Sequence, residues 1–204
     1  MPTDYEAEYN NRARVPEHPE IFARWAREAE DYRAEAMKER CAELGLQYGD
    51  TPRQTIDLFS PKRAAEAPLA LFIHGGYWRS LDPSMFSQAA RGANAHGIGV
   101  AVAGYDLCPE VTIAEIIDQI RHACLFLWLR TGRRMMVYGH SAGGHLAAAM
   151  LTCALTRAQR APLPRCSGRH RLPAAPFTRP QERSNRASSF ARAASLPRHG
   201  ERPA

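Results

Sequence analysis

The sequence lacks the cysteine pattern of a disulfide framework and of a zinc site. Its cysteines are odd in number and include no C-x-x-C pair: Cys41, Cys108, Cys124, Cys153 and Cys166. Structural zinc sites and disulfide-rich secreted domains depend on paired cysteines at short spacings. The chain also has no glycine-rich phosphate loop and no His/Cys/Asp cluster at metal-ligand spacing. We therefore expect a reducing compartment and no metal or other cofactor.

Long apolar runs are also missing. The N-terminal residues MPTDYEAEYN are acidic and contain no apolar region of the kind found in a secretory signal. The most apolar stretch, residues 123–129, is far shorter than the roughly 20 residues that cross a bilayer. These absences predict a cytoplasmic protein with no membrane partner; the sequence leaves the oligomeric state open.

Basic charge is concentrated at the C-terminal end. Residues 1–156 carry a net charge of −3, whereas residues 157–204 carry +9, from 11 arginines and two glutamates. This last segment has seven prolines and no Ile, Val, Met, Tyr or Trp. It cannot bury enough apolar area to offset the entropy of ordering it. We predict a folded region over 1–156 and a disordered tail over 157–204.

The tail has two interpretations. An Arg-, Pro-, Ala-, Ser- and Gly-rich segment that abruptly replaces a folded half is typical of GC-rich DNA read out of frame, so our hypothesis is a frameshifted or truncated protein. The alternative is a genuine arginine-rich arm for phosphate backbones or anionic surfaces. The tail has few aromatic residues on which bases could stack, and this disfavours nucleic-acid binding.

Apolar periodicity predicts alternating helices and strands. Residues 19–44 are predicted to form an amphipathic helix that ends at Gly45, and residues 54–59 a half-buried strand. Continuous apolar runs predict strands buried on both faces at 69–73, 98–103 and 134–138. Helices are predicted over 84–96, 113–130 and 142–155. This order is typical of βαβ crossovers, so the predicted class is α/β with a mostly parallel sheet.

The pentapeptide GHSAG, residues 139–143, matches G-x-S-x-G between a predicted strand and a predicted helix. In this setting a strained turn exposes the serine hydroxyl above the sheet. Gly139 and Gly143 fit because side chains there would collide with the neighbouring strand and helix. The start of the helix also supplies N–H groups and a positive dipole end for a developing oxyanion. The motif predicts Ser141 as a nucleophile.

A second motif, HGGYW at residues 74–78, follows the predicted strand at 69–73. Glycines have no Cβ and allow backbone N–H groups to approach a substrate closely, so this motif is the expected partner of a nucleophile turn. The two motifs together, in this order, favour a serine hydrolase over ordinary turns between strands and helices.

Three segments, LFIHGGYWRSLD, AGYDLCPEVTIAEIIDQIR and VYGHSAGGHLAAAML, resemble the α/β-hydrolase fold family. Within it they are similar to the kynurenine formamidase (arylformamidase)-like and related esterase members. The stretch EYNNRARVPEHPEIFARW is similar to the N-terminal region of bacterial members. The resemblance implies hydrolysis of a small ester or of an aryl formamide such as N-formylkynurenine, in tryptophan breakdown.

The resemblance also implies roles for individual residues. Ser141 is the nucleophile, and Tyr77 and Trp78 lie near an aromatic substrate. The oxyanion hole is formed by four backbone N–H groups, those of Gly75, Gly76, Tyr77 and Ala142.

In this fold the catalytic acid and histidine follow the serine in the order Ser, Asp/Glu, His. No aspartate occurs after Asp118, and only Glu182 followed by His199 has the required order. Neither residue ends a predicted strand. Two hypotheses remain open: a serine hydrolase, or an inactive truncated fragment that lacks the acid and the histidine and exposes an unpaired sheet edge.

Other residues near the motifs have structural interpretations. His145, four residues after Ser141 on the predicted helix, is expected to pack or cap, and His74 to hold the glycine turn by hydrogen bonds. Asp106 is expected to stabilise its loop. Cys108 and Cys124 are expected to act as small core residues.

Overall fold

A computed structural model describes residues 3–62 and 67–152. The helices are α1 Tyr5–Tyr9, α2 Asn11–Arg14, α3 His18–Lys38, α4 Ala89–Ala95, α5 Ile113–Thr131 and α6 Ala142–Thr152. The strands are β1 Ala42–Gln47, β2 Thr55–Phe59, β3 Leu69–Ile73, β4 Gly99–Ala103 and β5 Met135–Gly139. The tail predicted over 157–204, with Glu182 and His199, lies outside the described residues, so its disorder and its origin stay predictions.

The five strands form one sheet in the order β1-β2-β4-β3-β5. β3 pairs in parallel with β4 and with β5, whereas β2 runs antiparallel to both β1 and β4. Four strands therefore point in one direction and only β2 is reversed. Helix α4 connects β3 to β4 and helix α5 connects β4 to β5, because parallel strands of one sheet need crossover connections. The predicted α/β class and mostly parallel sheet are confirmed.

Helices cover both faces of the sheet. On one face α5 and α6 pack against Leu71 and Ile73 of β3, and on the other α3 and α4 pack against Phe72. Alternate side chains of β3 thus enter different apolar clusters, because successive residues of a strand point to opposite faces. This explains the continuous apolar run LALFI, in which every residue is buried.

The prediction of a helix over 19–44 is wrong at its C-terminal end. Helix α3 ends at Lys38, Arg40 has a positive φ of 57°, and residues 42–47 form strand β1. Gly45 does not end a helix: it lies at the register shift of the β1–β2 pair and has a φ of +65°. Pairing with β2 supplies the hydrogen bonds of this segment, and no local apolar spacing reveals that partner.

Strand β2 is more buried than predicted. Its residues 56–59 are all buried, because β2 lies between β1 and β4 with helices on both faces. Asp57 is therefore in the interior, where it pairs with Arg33 of α3.

The helix predicted over 84–96 is divided into two parts. A 3₁₀ turn at Pro83–Phe86 precedes α4, and the Asp82 carboxylate accepts a hydrogen bond from the Ser84 N–H at 3.0 Å. Pro83 at the first position of this turn has no N–H that would need a partner.

Candidate active site

Ser141 lies in the turn between β5 and α6. It is exposed, and its φ of +54° is uncommon for a residue other than glycine. A Cβ on Gly139 would lie 2.3 Å from the Gly143 carbonyl oxygen, and one on Gly143 would lie 2.0 Å from the Ile73 carbonyl oxygen. The prediction that side chains at these two positions would collide with their neighbours is confirmed. Close backbone packing therefore holds Ser141 in its strained conformation.

The glycine turn (residues 74–78) follows β3 and lies against this serine. A Cβ on Gly75 would lie 2.7 Å from the His140 carbonyl oxygen and 3.1 Å from Ser141 Cβ. Gly76 has a φ of +108°, and a Cβ there would lie 2.3 Å from the Ser80 carbonyl oxygen. Since β3 and β5 are parallel neighbours, their carboxyl ends meet at one edge of the sheet. The tertiary structure thus brings the two sequence motifs into contact.

The carbonyl oxygens of Gly75 and Gly76 accept hydrogen bonds from neighbouring groups. The Gly75 oxygen accepts a hydrogen bond from His74 Nδ1 at 2.8 Å, and the Gly76 oxygen accepts from the Arg79 N–H at 2.9 Å and Ser80 Oγ at 3.0 Å. In a trans peptide the N–H points opposite to the carbonyl.

Some backbone N–H groups of this region have no hydrogen-bond partner among the described residues. Within the described part of the chain, those of Gly75, Gly76 and Ala142 donate no hydrogen bond. Gly75 and Ala142 are themselves buried. Buried N–H groups without partners are rare in native structures, so these open donors next to Ser141 suit a developing negative charge.

His74 is buried in a stack of rings. Its imidazole lies parallel to the Tyr105 ring, with centroids 4.4 Å apart, and to the Phe86 ring at 5.7 Å. Burial lowers the pKa of His74 to about 4, although its hydrogen bond to the Gly75 carbonyl opposes this effect. The imidazole is therefore neutral at pH 7 and donates from Nδ1. This confirms the prediction that His74 holds the glycine turn by a hydrogen bond.

Tyr77 and Trp78, the two residues predicted to lie near an aromatic substrate, differ in exposure. Tyr77 is 52% exposed, and its hydroxyl donates a hydrogen bond to the Tyr9 carbonyl at 3.0 Å. Trp78 is partly buried against the apolar cluster under α5, with its ring edge-on to His145 at 5.3 Å. His145 therefore packs against an aromatic ring, as predicted.

Helices α1 to α3 reach the same region, which the motifs did not predict. Arg12 Nη2 donates a hydrogen bond to Ser80 Oγ at 3.2 Å, and the Trp25 ring lies 6.4 Å from the His140 ring. The similarity of this stretch to bacterial family members is the only sequence signal that points to it. Tyr105, which contacts the glycine turn, has no such signal.

The described residues supply no hydrogen-bonded acid or base for Ser141. No side chain in 3–62 or 67–152 hydrogen-bonds to Ser141 Oγ, and Glu182 and His199 lie outside these ranges. Asp106 accepts from Thr51 Oγ1 at 2.7 Å, Gln54 Nε2 at 3.1 Å and Gln119 Nε2 at 3.0 Å, which confirms its role in stabilising the loop after β4.

The described residues contain no group of three or more His, Cys, Asp or Glu side chains placed to hold a metal ion. None of their helices is both long and apolar enough to cross a membrane.

Comparison with known proteins agrees with this fold. The family model described as alpha/beta hydrolase fold matches residues 70–199. A kynurenine formamidase of Drosophila melanogaster is 39% identical over 111 residues, which are 52% of this chain and 37% of the fly protein. A protein of Oryza sativa subsp. japonica, provisionally named an isoprenylcysteine alpha-carbonyl methylesterase, is 32% identical over 111 residues, 51% of this chain and 27% of the rice protein.

A solved structure supports the fold independently. The crystal structure of a provisionally named thioesterase from Silicibacter sp. TM1040 matches with a TM-score of 0.67 and 39% identity, over 74% of this chain and 56% of that one. The chain thus spans well under half the length of the curated relatives named here. Since the family model covers more than half of the sequence, the chain belongs to the α/β-hydrolase fold family, with kynurenine formamidase and esterase relatives.

Proposed function

We propose that this chain hydrolyses a small ester or aryl formamide through an acyl-enzyme on Ser141. The observation that carries the proposal is the contact between the Gly75 backbone and the strained Ser141, with the N–H groups of Gly75, Gly76 and Ala142 open beside it. Tyr77 N–H completes the proposed oxyanion hole. An exposed serine that faces preorganised donors is suited to acyl transfer.

The reaction proceeds in two steps. Ser141 Oγ bonds to the carbonyl carbon and gives its proton to a base, while the carbonyl oxygen takes the negative charge and accepts the N–H hydrogen bonds. Collapse then breaks the C–O or C–N bond, and the alcohol or amine leaves with a proton. Water hydrolyses the acyl-serine to the free acid, formate in the case of a formamide. Glu182 and His199 are the pair in the order that this fold uses for acid and base.

An aryl formamide such as N-formylkynurenine is the favoured substrate, which would place the protein in tryptophan breakdown. The fly relative named a kynurenine formamidase supports this choice. Tyr77 and Trp78 are the residues proposed to contact the aryl group; half-exposed Tyr77 and the Trp25 ring, 6.4 Å from the His140 ring, support this with aromatic surface near the serine turn. We place the reaction in the cytoplasm, and the proposed site uses no cofactor.

A second candidate is an inactive fragment. It is favoured by the lack, within residues 3–62 and 67–152, of a side chain hydrogen-bonded to Ser141 Oγ. It is also favoured by strand β5, which is an edge of the described sheet and exposes Met136. An unpaired apolar edge promotes association between chains.

The two candidates are distinguished by hydrolysis of p-nitrophenyl acetate and of N-formylkynurenine by the purified chain. The matched variants are Ser141→Ala and Ser60→Ala, the latter an exposed serine outside the site. We expect turnover by the wild type and by Ser60→Ala, and none by Ser141→Ala. Activity that survives in Ser141→Ala contradicts the serine mechanism. A wild type with no activity on either substrate supports the inactive fragment.

A further inference from the structure

Tyr105 lies directly after β4, outside both sequence motifs. Its side chain is completely buried, and its hydroxyl donates a hydrogen bond to the His74 carbonyl at 2.8 Å. The same oxygen is 3.4 Å from the Gly75 carbonyl oxygen and 3.4 Å from His74 Nδ1. One hydroxyl therefore contacts the carbonyl side of the first two peptides of the glycine turn.

This contact determines where the N–H groups of the turn point. The His74 carbonyl and the Gly75 N–H belong to one trans peptide, so they point in opposite directions; the same holds for the Gly75 carbonyl and the Gly76 N–H. The Tyr105 hydroxyl holds the His74 carbonyl and His74 Nδ1 holds the Gly75 carbonyl on the same side, which directs both N–H groups away from Tyr105. Gly75 faces Ser141, with its Cβ position 3.1 Å from Ser141 Cβ.

Glycines need such an anchor. Gly75 and Gly76 have no Cβ to restrict φ and ψ, and Gly76 uses a φ of +108°. The Gly75 carbonyl also accepts from His74 Nδ1, so loss of the Tyr105 hydroxyl frees chiefly the His74–Gly75 peptide to rotate and carry its N–H group out of alignment. Burial raises the pKa of Tyr105 above its ordinary value, so the hydroxyl stays protonated and remains a donor.

We propose that Tyr105 is a positioning residue for acyl transfer: its hydroxyl holds the His74–Gly75–Gly76 backbone so that the Gly75 and Gly76 N–H groups face the oxyanion. This inference rests on the proposed function, because it names the residue that aligns the same donors. The donors act on the developing charge and not on the bound ester, so loss of the hydroxyl lowers kcat and leaves KM nearly unchanged.

The test variant is Tyr105→Phe, which keeps the stacked ring and removes only the donor. Its matched control is Tyr32→Phe, another buried tyrosine, whose hydroxyl donates to Asn94 Oδ1 at 2.5 Å. Asn94 also bonds to the Ile98 carbonyl, just before β4, whereas Tyr105 follows β4. The two sites are therefore separated by a strand of five residues, about 16 Å.

The first measurement is the steady-state kinetics of p-nitrophenyl acetate hydrolysis. We expect Tyr105→Phe to lower kcat about tenfold or more with KM within about twofold, and Tyr32→Phe to change kcat less than about twofold. A kcat for Tyr105→Phe within twofold of the wild type overturns the inference. So does an equal loss in both variants, since that indicates a general effect on stability.

The second measurement separates this inference from the proposed function. The Arg79 N–H donates to the Gly76 carbonyl, so its hydrogen exchange reports order in the glycine turn whether or not the chain is active. We expect exchange at Arg79 to be at least about fivefold faster in Tyr105→Phe and unchanged in Tyr32→Phe. Equal exchange in all three proteins overturns the anchoring role. Faster exchange in Tyr105→Phe, found while the wild type hydrolyses neither substrate, contradicts only the proposed function.

Discussion

Buried polar groups have different surroundings in two regions of the molecule. Under α3, the Asp57 carboxylate pairs with Arg33 and accepts the Gly45 N–H at 2.8 Å, while Arg33 also donates to Ser87 Oγ at 3.0 Å. At the glycine turn, the N–H groups of Gly75 and Gly76 have no partner among the described residues.

The comparison separates groups that hold the fold from groups that await a ligand. A buried polar atom is costly unless it is hydrogen-bonded, and the Asp57 network meets that requirement within the protein. The glycine turn does not, and Ser141 beside it has a strained backbone. Unsatisfied donors and backbone strain in one place are typical of a binding or catalytic site.

The largest expected effect is on the strained turn. Gly143→Ala places a Cβ 2.0 Å from the Ile73 carbonyl oxygen, so we expect a loss of at least about 3 kcal/mol in the free energy of unfolding. Gly144→Ala is the matched control, because its Cβ meets only the Gly139 oxygen at an ordinary 3.5 Å. Alanine is a better helix former, so this control should be neutral or stabilising by up to about 1 kcal/mol. Urea unfolding measures both, and similar values would contradict the close packing of this turn.

Removing a partner from the Asp57 hydrogen-bond network should also lower the free energy of unfolding. Arg33→Ala leaves the Asp57 charge buried without its cation, and we expect a loss of about 2–3 kcal/mol, reduced from the fully buried case because Arg33 is partly exposed. Arg24→Ala removes an exposed pair with Glu28 and should cost less than about 0.5 kcal/mol. Chemical denaturation of the two variants gives the comparison. If Arg33→Ala is as mild as Arg24→Ala, the network does not hold α3 on the sheet.

Acid should weaken the glycine turn through His74. Its pKa in the folded state is about 4, below the ordinary 6.5, so the unfolded chain binds the proton first as the pH falls. The loss in free energy of unfolding that comes from His74 is absent above pH 6.5 and reaches roughly 3 kcal/mol near pH 4.

The measurement is the free energy of unfolding between pH 7 and 4.5. A His74→Asn variant should show a flatter pH dependence than the wild type, whereas His96→Asn, at an exposed position, should follow the wild type. A His74→Asn curve parallel to that of the wild type would show that His74 does not titrate in this way.

The smallest expected effect concerns the N-terminal helices. Tyr77→Phe removes a half-exposed hydrogen bond to the Tyr9 carbonyl, which water can replace, so we expect less than about 1 kcal/mol of stability change. Cleavage of residues 5–14 by a protease should become faster if this bond keeps the segment docked. Unchanged cleavage would show that other contacts, such as Arg12 to Ser80, are sufficient.

The predictable parts of the fold are those with a local pattern. The apolar run at 69–73 predicts a buried strand correctly, and a capping box at Thr112 with Glu115 begins α5 close to its predicted start. The run at 134–138 predicts strand β5 correctly but its burial wrongly, because β5 lies at the edge of the described sheet and Met136 is exposed. Strand β1 was missed because its apolar residues fit a helical continuation, and only pairing with β2 makes it a strand. Burial of Asp57 was missed for the same reason.

The amino-acid sequence by itself determined the strand–turn–helix context of Ser141 and the glycines that the turn requires, since these depend on neighbours in sequence. It also places the net charge of +9 in residues 157–204. Only the tertiary structure decided that Gly75 lies against Ser141, that Trp25 reaches His140 and that Tyr105 anchors the glycine turn. These contacts join residues about 30 to 115 positions apart. Those of Gly75 and Tyr105 exist because parallel strands bring their carboxyl ends to one edge of the sheet, and that of Trp25 exists because α3 packs on the sheet.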